Sequence, residues 1–273
     1  MIDKKMILEC LRGGSQGVFN FSHSDLSGMH LPKVNLSGAD LSYANLEGVN
    51  FRRANLRGAN LRGANLAGAK LTHADFSYAD FTGANLTGAN LTKAKLFGAQ
   101  LVNAKLLKAN LKQANMIEAN IISSNLENAI FIGANLPKAD LSFSNLSFAD
   151  FSSANLSGSS LLESNLFGTK FLGADLSSAD LSEANLTNSN LSQADLSETN
   201  LTKTLLFNTI FYKAILKGTI LKGLKGSNIN IVKLREVKMP ESIIIIPIRS
   251  KKVMHHPIAK RGGATRVTVS TFN

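Results

Sequence analysis

The 273-residue sequence has no tryptophan, only three tyrosines and a single cysteine, Cys10. One cysteine excludes an internal disulfide and any cysteine-based zinc spacing, and it accords with a reducing compartment. No long hydrophobic run is present: the longest unbroken aliphatic stretch, Ile243 to Ile246, falls far short of the roughly 20 residues that span a bilayer. The segment from Met1 to Gly14 carries Asp3, Lys4, Lys5, Glu9 and Arg12 and so lacks the apolar centre of a secretory signal. A cytoplasmic protein is therefore expected. Catalytic patterns are missing as well, since the sequence holds no phosphate loop, dinucleotide fingerprint or nucleophile triad. His255 and His256 have no second ligand pair at a metal-binding spacing. No enzyme activity, metal or cofactor is expected.

What the sequence has instead is repetition. From Phe21 to Leu221 every fifth residue is large and apolar, as 31 Leu, 8 Phe, Met116 and Ile121, a run of 41 positions without a slip. Two residues before each of these stands a small residue in most cases, 26 Ala, 6 Ser and 5 Thr; Phe19, Met29, Val34 and Val49 are the exceptions. The position between is mostly Asn or Asp, and the second residue after the large one is Gly 15 times.

Period five matches neither the 3.6 of a helix nor the 2.0 of a long strand. It predicts a chain that bends once per pentad, with the large residue and the small one two before it pointing inward. A narrow interior at close-packed density takes one large and one small side chain per side, not two large ones. Asn and Asp suit the bends through side-chain bonds to nearby backbone, and Gly suits them by accepting positive φ. The glycines are thus read as architectural.

The stretch Ala54-Asn55-Leu56-Arg57-Gly58-Ala59-Asn60-Leu61-Arg62-Gly63 resembles the A(D/N)LXX signature of the pentapeptide-repeat family, and the resemblance covers residues 19–223. It implies an all-β fold, a right-handed quadrilateral β-helix with four pentads per coil. Forty-one pentads give about ten coils, and at ~4.8 Å between stacked strands the rod is about 50 Å long.

Both ends of a stacked solenoid need covering. Residues 1–18 are expected to form a short capping helix, from the helical spacing of Ile2, Met6, Ile7, Leu8 and Leu11; Cys10 is read as part of it. A membrane-surface helix is the rival reading, but two turns carry little apolar area. At the far end the Asn/Asp slot turns apolar, as Leu205, Ile210, Ile215 and Ile220 on four successive sides. This collar is expected to be covered by the tail, residues 224–273, or by a second copy forming a homodimer, as in some family members. The tail offers strand-like pieces at 228–232, 242–248 and 266–272.

The net charge of +11 is uneven, because the tail holds 10 basic against 2 acidic residues while residues 21–223 hold 17 against 15. Twenty residues per coil would gather His30, Lys33, Arg52, Arg53, Lys70, His73, Lys93 and Lys112 on one face, with no acidic residue there before Asp150. That face is the candidate interaction surface. Outward aromatics Tyr43, Tyr78, Phe97, Phe143, Phe148 and Phe167 are spread over three faces, with Phe148 and Phe167 expected on adjacent coils.

The functional expectation is a non-enzymatic interaction scaffold presenting rigid flat faces to a protein partner. The family resemblance implies a second possibility, modulation of DNA gyrase or another topoisomerase by acidic mimicry of duplex DNA. A duplex carries a charge about every 1.7 Å, and a rod near neutrality imitates that poorly. The third is binding of nucleic acid or another anionic surface through the basic tail.

Overall fold

A computed structural model of the protein describes residues 19–224. The expected capping helix of residues 1–18, the tail beyond Leu224, Cys10 and the His255-His256 pair lie outside the described residues. Within them one pairing rule holds throughout: each bridged residue pairs in parallel with the residue twenty later, from Asn20 with Asp40 to Asn200 with Ile220. Four bridged residues fall in each twenty, so the chain winds with four sides per turn. We label the sides by their bridges: side 1 at 20, 40, 60 and onward, side 2 at 25, 45, 65, side 3 at 30, 50, 70, and side 4 at 35, 55, 75. Each side is one bridged residue wide, so no continuous strand forms among the described residues, and the β character resides in stacked single bridges.

The pentad 55–59 shows how five residues account for five amide groups. Asn55 N–H donates to the Val34 carbonyl one turn back (2.8 Å), and Leu56 N–H donates to the Asp75 carbonyl one turn ahead (2.7 Å). Gly58 N–H donates ahead to Ser77 (2.9 Å), and Ala59 N–H closes the bend on Leu56 (3.1 Å). The remaining donor, Arg57 N–H, is taken by Asn55 Oδ1 at 3.2 Å. Buried or half-buried backbone donors need partners, which is the physical reason that Asn or Asp recurs in this slot. The sequence reading placed this residue in the bend; the structure places it on the bridge, from which its side chain reaches the bend two residues on.

The same Asn side chain also ties turn to turn. Along side 2, Asn45, Asn65 and Asn85 each donate Nδ2 to the Oδ1 of the residue twenty earlier, at 3.1, 3.3 and 3.0 Å. Lys105 interrupts this series, and it resumes from Asn145 to Asn185. An Asp accepts but cannot donate, so Asp25, Asp40 and Asp180 accept the amide of the following turn instead.

The third residue after each bridge has positive φ in every pentad, from His23 to Gly223, at 15 Gly and 26 other residues. The bend therefore fixes the backbone and glycine is optional. At Gly63 and Gly168 it has a second reason: the Tyr43 and Phe148 rings lie over these glycines, and a Cβ would meet them at 2.5 and 2.8 Å.

The interior is one continuous column of the large and small residues, nearly all of them fully buried. Inside side 3, Phe151 stacks between Phe131 and Phe171, with ring centroids 4.4 and 5.3 Å away and near-parallel planes. The small slot changes along the rod. From Ala54 to Ala119 it is all Ala, and from Ser124 onward half of it is Ser or Thr. All of those hydroxyls but two, Ser159 and Ser164, donate to the carbonyl 23 residues back, as in Ser144 to Ile121 (2.8 Å), Thr199 to Leu176 (2.7 Å) and Thr219 to Leu196 (2.7 Å). The residue after the inward Leu is less outward than the pattern predicts: Ser77, Ser142, Ser147 and Ser192 there are buried, three of them bonded to their own bridge residue's Oδ1 through the hydroxyl.

Candidate interaction faces

Side 3 carries the basic stripe. His30 and Lys70 are bridge residues, linked through Asn50, and Asn90 and Asn110 continue that line. Lys33, Arg53, His73 and Lys93 share the positive-φ position of four successive turns. Arg52 and Lys112 sit beside this column, stacked by the bonds from Lys33 N–H to Arg52 O and from Lys93 N–H to Lys112 O, both 2.9 Å. All eight are exposed. Stacked turns are about 4.8 Å apart, so like charges crowd on one side of the rod. Among the described residues the ion pairs lie elsewhere: Arg62–Asp80, Lys95–Asp75, Lys203–Glu183 and, on side 3 beyond the stripe, Lys170–Asp150. Among the described residues, one bond between side chains is made within the stripe, between Asn50 Nδ2 and His30 Nδ1 at 3.0 Å.

Two paired carboxylates lie on the other sides, Asp75 on side 4 and Asp80 on side 1. Burial pushes the Asp75 carboxyl upward, but the Ser77 hydroxyl and amide together with Lys95 outweigh it and hold the group below the ordinary 3.8. Asp80 behaves likewise, with Thr82 and Arg62 outweighing its burial.

Side 4 holds a cluster that the sequence reading did not single out. Arg57 lies over the Tyr78 ring at 4.7 Å, and Tyr78 meets Phe97 edge-on at 5.2 Å. Phe148 and Phe167 pair in the same way on side 2 at 5.4 Å, as expected. The signal for the first pair was in the sequence, because 78 and 97 are 19 apart like 148 and 167. Tyr43 stacks on His23 at 5.1 Å on side 1, and Phe143 is exposed on the same side.

The last turn is apolar outside as well as inside. Leu205, Ile215 and Ile220 are exposed, Ile210 is half-buried, and Phe207 and Tyr212 join them on the surface. Leu205, Ile210, Ile215 and Ile220 each bridge back to the preceding turn and close the described ladder.

Among the described residues no group of three or more His, Cys, Asp or Glu is placed to hold a metal ion. No helix there is long and apolar enough to cross a membrane.

Stacked pentads with an inward Leu, an inward small residue and a bridged Asn define a repeat solenoid. The family model for pentapeptide repeats matches in successive copies between residues 20 and 223, and the chain belongs to that family. Among solved structures, a trypsin-treated variant of QnrB1, a plasmid-mediated fluoroquinolone resistance protein, aligns at TM-score 0.58 and 23% identity, covering 65% of this chain and 89% of that one. This likeness is one of fold. HetL, a pentapeptide-repeat protein involved in heterocyst differentiation regulation in the cyanobacterium Nostoc sp. strain PCC 7120, is 33% identical over 82% of this chain and 94% of its own, at TM-score 0.33. No curated protein sequence matches the chain.

Proposed function

We propose that the protein is a non-enzymatic scaffold, a right-handed rod of about ten coils, that binds an acidic protein partner through side 3 of its first five turns. The observation that carries this reading is the stripe itself, eight exposed basic or histidine residues with no carboxylate on that side before Asp150. A surface of one sign speeds encounter with a partner of the other and rejects partners of its own. Reversing Arg52, Arg53 and Lys93 to Glu is expected to abolish recovery of the partner from lysate by the tagged chain. Unchanged recovery would remove side 3 from consideration.

Charge weighs against mimicry of duplex DNA, because residues 21–223 hold 17 basic and 15 acidic residues. A gyrase supercoiling assay tests this directly, and inhibition by the chain would make topoisomerase modulation the leading function. For the collar of Leu205, Ile210, Ile215 and Ile220 we favour the tail, residues 224–273, as the cover over a second copy, since it follows the last bridge, at Ile220, directly in the chain. Removing those residues is then expected to produce dye-binding apolar surface. A chain that is dimeric with the tail and dye-silent without it would favour the second copy.

A further inference from the structure

The rod carries two stripes of opposite sign on opposite sides. Ten residues are half a turn, so side 1 lies across the rod from side 3. Side 3 is basic from His30 to Gln113, with no Asp or Glu. Side 1 has no Lys or Arg between Arg62 and Lys203; beyond Asp80, which Arg62 pairs, it presents Asp140, Glu163, Asp180 and Glu183 there. Glu163 and Glu183 are exposed, and Glu183 is held by Lys203 at 2.9 Å. The basic stripe is centred near residue 70 and the acidic one near residue 160, four to five turns further on. At about 4.8 Å per turn that offset is roughly 20 Å.

We propose that the acidic surface side 3 fits is side 1 of a second copy of this chain, the two rods lying side by side and displaced by about 20 Å. This rests on reading side 3 as the binding surface. Both surfaces are runs of one-residue bridges without an inserted loop, so they meet along a line of turns. The contact is heterologous: a copy that offers side 1 to its neighbour keeps its own side 3 free for the next. Such contacts add copies without closing. The overlap of five to six turns is short, and interfaces well under about 1,200 Å² are weak. The association is therefore expected to depend on concentration and to weaken steeply as salt shortens the reach of charge.

The test is sedimentation of the purified full chain across concentration at ~50 mM and ~500 mM salt. Open-ended growth in mass at low salt and its loss at high salt are expected. R52E/R53E alone and E163K/E183K alone are each expected to associate at least about tenfold more weakly. An equimolar mixture of the two variants is expected to form complexes, because each then meets a stripe of opposite sign. A full chain that stays monomeric at low salt overturns the proposal. So does R52E/R53E that self-associates like the unaltered chain, or a mixture that stays monomeric. The lysate experiment separates the two readings: capture of another protein that is lost in R52E/R53E and kept in E163K/E183K, by a chain that sediments as a monomer, overturns self-docking and leaves the acidic-partner reading in place.

Discussion

The two halves of the rod share one backbone and hold it together differently. From Ala54 to Ala119 the small inward slot is all Ala, and turns there are joined by backbone bonds, side-chain amides and dispersion. From Ser124 onward buried hydroxyls add a bond from one turn to the turn before, as Thr204 does to Leu181 and Thr209 to Leu186. The column of Phe131, Phe151 and Phe171 also belongs to this half. The difference teaches that the slot selects for size and that polarity is allowed wherever a carbonyl is in reach. A buried hydroxyl without a partner is costly, and Ser159 is the one buried side-chain group among the described residues without a bond.

The comparison is broken most severely at the aromatic column. Phe151→Ala removes a fully buried ring with a ring on either side, and the expected loss is about 3–5 kcal/mol in chemical denaturation. A loss under 1 kcal/mol would mean that hydroxyl bonds, not packing, dominate the second half. Next comes the amide ladder. Asn145 donates to Asn125, accepts from Asn165 and holds the Ser147 amide and hydroxyl. Asn145→Ala is expected to cost about 2 kcal/mol, within the range for stranding half-buried partners. Thr199→Val keeps the shape and removes one hydroxyl bond, for about 1 kcal/mol; Ala119→Ser, placed in the other half, is expected to cost less than that if its hydroxyl finds a carbonyl as Ser124 does.

Acid sharpens the contrast from the other side. Asp75 and Asp80 lie in the first half with carboxyls held below 3.8. A depressed folded value means that the stabilisation is fully present above the unfolded value and is lost as pH falls through the folded one. Denaturation midpoints are thus expected to hold from neutrality to about pH 4 and to drop below it, less so in D75N/D80N. The smallest effect is a gain: Phe143 is exposed at φ 60°, and Phe143→Gly is expected to leave stability unchanged or raise it by up to about 1 kcal/mol.

Much of the fold was legible in the period of five and in the family resemblance it carries. The inward Leu and Ala positions follow from the spacing, and the twenty-residue stacking of His30 to Lys112 from the four pentads per coil that the resemblance implies. What was not legible depends on local geometry. That Asn55 sits on the bridge and still reaches Arg57 N–H requires the backbone path within the pentad. The offset of 23 between Thr199 and Leu176 requires the angle at which a hydroxyl leaves the wall. The pairing of Tyr78 with Phe97 is legible in their spacing of 19, the same as that of Phe148 and Phe167. The interaction faces are less fixed by sequence, because a stripe of charge states its sign and position and leaves its counterpart open.

The bridge from each residue to the one twenty later also governs how such a chain tolerates change in length. Losing or gaining a whole turn of twenty residues lengthens or shortens the rod and leaves every surface in line. Losing a single pentad keeps Leu over Leu and Ala over Ala, so the interior survives, yet everything downstream is rotated by a quarter-turn against everything upstream. A five-residue deletion between Gln113 and Asp140 would thus swing the acidic stripe onto a neighbouring side while the core stayed intact. Evolution can in this way re-aim one end of the molecule relative to the other in discrete clicks, without designing a new fold.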